Sequence, residues 1–186
     1  MGWVTVILVM TAVLVDESPD LKITSNRQFT GLVRRGEYPE QVRVPLDDPF
    51  VNQAGEIQNL LLEDFTSVAL IHTRGGMVRA NHYHKTDWHY AYVLSGEIHY
   101  FWRPVGVKDA KLQIFKPGSM FFTPPLVEHC MYFAEQTSFM TFARNVRDHE
   151  HHEEDVVRVR FVEVKSKLCQ PENKIPYFVY TPMVVG

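Results

Sequence analysis

Cysteine is nearly missing from this chain. Cys130 and Cys169 are the only two among 186 residues, and they form no Cys-x-x-Cys pair. A disulfide framework and a thiolate zinc site are therefore excluded, and both thiols fit a reducing compartment. An excess of one charge is also missing. Lys and Arg total 19 against 22 Asp and Glu, a net charge of −3, with no basic stripe to hold nucleic acid. No segment offers the roughly 20 apolar residues that cross a bilayer. The uncharged run Trp3–Val15 is too short. No Lys or Arg precedes it and no small-x-small cleavage site follows. Val6 stands where a myristoylation signal needs Ser or Thr. The run reads as an N-terminal β-strand, or as a tail added by an upstream start with Met10 as the alternative. Repeats, low-complexity tracts and splitting linkers are absent too. The expectation is one cytoplasmic domain with a small molecule as partner, and neither nucleic acid nor membrane.

What the chain does have is aromatic and β-branched residues in short runs. Aromatics reach 12%, a composition that favours sheet. Strands are expected at 42–44, 57–62, 66–73, 88–94, 98–102, 111–115, 120–122, 127–133, 138–143 and 156–164. Turns fall between them at Arg74-Gly75-Gly76, Ser95-Gly96-Glu97 and Lys116-Pro117-Gly118-Ser119. Such spacing predicts an all-β fold, a barrel or jelly roll. A short helix or loop is expected at 147–155, with Asp148 as its cap; its acidic and histidine side chains read as a solvated face. The division reads as an arm over 1–41, a barrel over 42–165, and a tail over 166–186 that packs on the barrel or on a partner.

Histidine carries the chemistry. Three of the nine fall within eight residues, at His82, His84 and His89, and His129 follows the turn Thr123-Pro124-Pro125-Leu126. Residues two apart share a face of a strand. His82 and His84 therefore point together. His89 shares a face with Ala91 and Val93, and His129 with Val127 and Met131. Imidazoles buried among apolar groups need a partner, and one shared cation would satisfy all four. A lone interior histidine is more often a hydrogen-bonded core residue, so His72 and His99 stay outside the ligand set.

These residues resemble the two signature motifs of the cupin superfamily. Gly76, five residues, His82-x-His84, four residues, His89, six residues and Gly96 follow the first motif, with His89 where the family has Glu. Gly118, Pro124 and His129 follow the second; Leu126 replaces a Gly and Phe133 an Asn. The resemblance spans about residues 42–145. It implies a double-stranded β-helix, commonly a homodimer, with His82, His84, His89 and His129 as ligands of one divalent transition metal per chain. Imidazole suits Fe, Ni, Cu and Zn, with Mn also admitted, so the sequence does not select the metal. Replacing Glu by His leaves the cation's full charge, which strengthens its Lewis acidity and its pull on anions.

The reading that follows is a metal-dependent enzyme acting on a small polar organic molecule, by dioxygenation or by Lewis-acid isomerisation or elimination. Tyr100, Trp102, Phe122, Met131, Met140 and Phe142 are candidate pocket residues, on strands expected to line the barrel. Arg79, Glu97 and His99 are candidate polar helpers. One alternative is a sugar-nucleotide epimerase or ketoisomerase of deoxysugar or polysaccharide biosynthesis. Those enzymes share the barrel but commonly act without metal, through an acid/base pair. Another is a non-catalytic cupin that binds a small ligand.

Overall fold

The computed structural model describes residues 13–14, 38–165 and 177–180. Most of the Trp3–Val15 run and of the 166–186 tail lies outside the described residues. The elements run β1 (Val13–Leu14), β2 (Arg43–Val44), β3 (Phe50–Asn52), β4 (Gly55–Ile57), β5 (Ser67–Thr73), β6 (Val78–His84) and β7 (His89–Ser95). Then come β8 (Ile98–Pro104), β9 (Lys111–Phe115), β10 (Met120–Thr123), β11 (Val127–Phe133) and β12 (Thr137–Ala143). A helix, α1 (His149–Asp155), precedes β13 (Val156–Arg158), β14 (Val162–Lys165) and β15 (Tyr177–Tyr180).

Two sheets make the body, in a jelly-roll arrangement. One has the order β1-β9-β8-β11-β6-β13 and the other β2-β10-β7-β12-β5. Every pairing is antiparallel except that of β1 with β9, where Val13 faces Lys111. β6 and β7 fall in opposite sheets: β6 pairs with β11 and β13, while β7 pairs with β10 and β12. The chain therefore crosses between sheets at Lys85–Trp88, inside the histidine-rich stretch.

Side-chain alternation sorts the apolar residues into three clusters. Ala91, Val93, Tyr100, Phe121, Met131 and Phe139 belong to the one between the sheets. Phe101, Cys130, Tyr132 and Phe161 pack on the outer face of the six-stranded sheet. Val44, Trp88, Tyr90, Met120, Phe122 and Phe142 pack on the outer face of the other. Both faces of these sheets are covered, so their central strands read as almost unbroken apolar runs.

Three elements differ from expectation. The strand expected over 57–62 stops at Ile57; Leu60 and Leu61 pack against the outer cluster of Trp88 instead. The strand expected over 156–164 is divided into β13 and β14. Phe50–Asn52, not anticipated, pairs with β4 in a hairpin whose residues are all exposed.

Candidate metal centre

His82 and His84 come from β6, His89 opens β7 and His129 lies on β11. The site thus draws on both sheets. Ring centroids of His82 lie 4.8 Å from those of both His84 and His129. His84 and His129 are 5.7 Å apart, and His89 is 5.4 Å from His84 and 5.2 Å from His129. Two overlapping sets of three, both containing His84, stand in place of the one set of four expected. Ligand atoms of His82, His84 and His129 fall within 4.8 Å of one another, while His89 forms such a set with His84 and Asp87. All four rings meet, but His89 borders the trio on the side of a carboxylate that the motifs did not announce.

A kink aims the trio. Ala80 and Asn81 take φ of 66° and 57°, the left-handed region that side chains disfavour. The register between β11 and β6 shifts there: His129 faces His82, and Cys130 faces Ala80. This is a β-bulge, a device that re-aims a strand's side chains. Asn81 holds it from outside the sheet. Its Nδ2 donates to Val162 O at 2.9 Å, its Oδ1 accepts from Val162 N at 3.2 Å, and its carbonyl accepts from Val159 N at 2.8 Å.

His84, His89 and His129 are buried and His82 partly so, all four are neutral, and two are oriented by hydrogen bonds. Burial first, then His129, hold His82 down to about 2. Burial and the neighbouring His82 take His84 to about 3, and burial and His84 take His129 to about 3. His89 is driven well below its ordinary value by burial. At neutral pH all four therefore present lone pairs, as metal ligands must. His84 Nδ1 pairs with Asp155 Oδ2 at 3.0 Å, and His129 Nδ1 with Val127 O at 3.0 Å. Each bond fixes a tautomer and leaves Nε2 as the donor atom, the usual support of a ligating histidine. His89 Nδ1 is buried without any hydrogen-bond partner. Such an orphan is rare in a native interior and calls for a partner that is not protein. By donor type, protonation and this orphan, the residues present fit a divalent transition metal.

Four further residues surround the site, and sequence reasoning missed them. Asp155 accepts from Thr86 N and Oγ1, both at 2.8 Å, and from Asp87 N at 3.2 Å. Burial pushes its carboxyl up, but those bonds and His84 outweigh it and hold it below its usual range. Asp87 accepts from Asn145 N at 2.9 Å and from Arg147 Nη2 at 3.1 Å, while burial raises its carboxyl. His152 places its ring 6.0 Å from His82 and 5.6 Å from His84. That corrects the reading of this part of 147–155 as a solvated face. Asp155, Arg147 and His152 lie between 51 and 59 residues beyond the end of the motif at Gly96, and no local pattern links them to it.

The expected pocket residues divide. Tyr100 and Met131 belong to the interior cluster and Trp102 packs against it. Tyr100 lies 6.2 Å from His129 between ring centroids, with its hydroxyl 2.7 Å from Thr123 Oγ1, and Trp102 faces His129 across the β8–β11 pair. Phe122, Met140 and Phe142 instead pack with Trp88 and Tyr90 on the outer face, because each has the opposite parity to an interior neighbour. His99 is 2.6 Å from Glu97 and stacks edge-on with outward-packing Tyr132. Arg79 donates to Thr73 Oγ1 at 2.6 Å and to His72 O at 3.4 Å. None of these last six is drawn to the histidine cluster.

No protein-family model and no curated protein sequence matches the chain. Solved structures do match in fold. A 3,4-ketoisomerase from Helicobacter canadensis superposes with a TM-score of 0.51 at 16% identity, covering 60% of this chain and 85% of that one. The WlaRB TDP-quinovose 3,4-ketoisomerase from Campylobacter jejuni gives 0.50 at 15%, covering 60% and 87%. At such identities the likeness concerns the fold alone, and it agrees with the jelly roll seen here.

Proposed function

We propose that this chain is a metal-centre enzyme of the cupin type that acts on a small polar organic molecule. His82, His84 and His129 hold one divalent transition metal, and His89 completes the set from the opposite sheet. The observation that carries the reading is the convergence of buried, neutral imidazoles, two of them with the rear nitrogen already bonded. The metal, when bound, supplies a Lewis acid that polarises a substrate oxygen, the requirement common to isomerisation, elimination and dioxygenation. The chain's own residues do the rest. Asp155 orients His84, the bulge at Ala80–Asn81 aims His82, and Tyr100 and Trp102 stack on one another beside His129 in the interior.

A second reading is a nucleotide-sugar ketoisomerase or epimerase. Two observations favour it: the fold shared with the ketoisomerases above, and the His84–Asp155 pair, which has the form of an acid/base dyad. Against it, burial and then the neighbouring His82 hold His84 down to about 3, which makes it a weak base at neutral pH. One experiment separates the two. Elemental analysis of the full chain, followed by titration of the stripped protein with Zn(II), Fe(II) and Mn(II), is expected to give one metal per chain. Stoichiometric metal that His82→Ala removes supports the metal centre. Absent metal together with saturable thymidine diphosphate binding moves the assignment to the second reading.

A further inference from the structure

Arg147 is a charged group at this site that the metal reading leaves without a task. Its Nε and Nη2 both reach one oxygen, Asp87 Oδ2, at 3.3 and 3.1 Å. Among the described residues Nη1 makes no hydrogen bond. The Nη1–Nη2 edge is therefore left for a planar acceptor. The side chain is 19% exposed, and Asp87 ties it to the group that contains His84 and His89. Its positive charge is felt at His82, His84, His89, His129 and His152 alike. His152, half-buried, lies beside His82 and His84 on the same post-barrel segment.

Charge counting gives this placement a meaning. A divalent cation held by neutral rings, with the guanidinium, brings three positive charges into the site. Asp155 and Asp87 return two. Glu153 is taken up by Arg158, which holds both its oxygens, at 2.5 and 2.7 Å. A buried excess of positive charge is unfavourable until an anion accompanies it. The planar fork of arginine suits carboxylate, which it takes through two parallel bonds. We propose that Arg147, flanked by His152, is the anion-recognising arm of the centre, and that the substrate presents a carboxylate between the guanidinium and the cation. This rests on the metal reading above.

The test uses the full chain loaded with Co(II), whose visible absorption reports on its ligands. Oxalate serves as carboxylate probe and imidazole as neutral probe. Arg147→Gln is expected to weaken oxalate by roughly tenfold or more, the worth of a charge-assisted pair. Cobalt uptake and imidazole affinity should stay as in the parent. Arg147→Lys keeps the charge but not the fork, and should fall between. Asp87→Asn frees the guanidinium and should retain oxalate or bind it more tightly. If Asp87→Asn loses oxalate as Arg147→Gln does, Arg147 is only a brace for Asp87 and the proposal is wrong. Unchanged oxalate affinity in Arg147→Gln overturns it as well. Inorganic phosphate binding more tightly than oxalate, with the same dependence on Arg147, would reject the carboxylate in favour of a phosphorylated substrate. A parent chain that takes up no cobalt removes the metal reading itself, a failure visible before any anion is added.

Discussion

Leu126 occupies a backbone conformation that the second motif entrusts to glycine. Its φ is 59°, its N–H donates to His84 O at 2.8 Å, and its carbonyl accepts from Val105 N at 3.0 Å. The turn thus ties β11 to the histidine strand β6 while bearing the cost of a side chain in the left-handed region, about 1–2 kcal/mol. The side chain is exposed, so Leu126→Gly removes that strain without emptying the core. Glycine's entropy returns about 0.5–1 kcal/mol of it. The expected outcome is a urea midpoint raised by the equivalent of about 0.5–1 kcal/mol, and a lowered midpoint would show that the side chain contributes packing of its own. The imidazoles separate in a similar way. His82→Ala and His129→Ala are expected to lose metal on gel filtration. His89→Ala is expected to keep it more weakly, because His89 stands outside the trio of close donors. Equal losses in all three would place His89 on a par with the others. His82, His84 and His129 were legible because His-x-His on a strand and a histidine after a Pro turn are local patterns. Asp87, Asp155, Arg147 and His152 were not, since what makes each matter is a partner brought up by the fold.

At the scale of elements, the site depends on one irregular strand and one short helix. Alternation placed His82 and His84 on a common face, but it could not foresee the bulge at Ala80–Asn81. Asn81 grips Val162 through both ends of its amide. Asn81→Ala deletes both bonds and leaves polar groups of Val162 without these partners, at a cost of about 1–3 kcal/mol. Metal affinity should fall with it, because His82 follows the bulge directly; unchanged affinity in a destabilised protein would show that the bulge serves the fold alone. On the other side, α1 ends in Asp155, which clasps His84 and the turn at Thr86–Asp87. Asp155→Asn preserves shape and removes the carboxylate. Loss of such a supporting group commonly weakens metal binding about 10–100-fold, and calorimetric titration of stripped protein checks it. Alternation also explains the misplaced pocket residues. With clusters on both outer faces, an apolar residue at either parity looks like an interior one. Phe122, Met140 and Phe142 therefore read as pocket residues while facing away. Only pairing with a neighbour of known side resolves them: Phe121 is interior, so Phe122 is not.

For the whole molecule, neutral buried histidines link the site to global stability. In the unfolded chain each imidazole titrates near 6.5. In the folded chain His82 titrates near 2, His84 and His129 near 3, and His89 well below its ordinary value, all chiefly through burial. Between those limits the unfolded state holds more protons than the folded one. Stability is then complete above about pH 6.5 and declines as acid is added, by about 1.4 kcal/mol per pH unit for each such proton. Asp155 acts in the same direction at lower pH: held below its usual range, it protects the fold until acid reaches the ordinary carboxylate value. The histidine window comes first. Metal-stripped protein is expected to lose urea resistance steadily from pH 7 to pH 5, with a slope corresponding to two or more protons. The metal-loaded protein should hold its midpoint near pH 7 and lose it more steeply as protons displace the ion. A variant with His82, His84, His89 and His129 all replaced by Gln should show a flat profile across the same interval. A stripped parent as flat as that variant would mean that the rings are hydrated or already paired, and the interior would then lack the four unprotonated donors on which a cation centre depends.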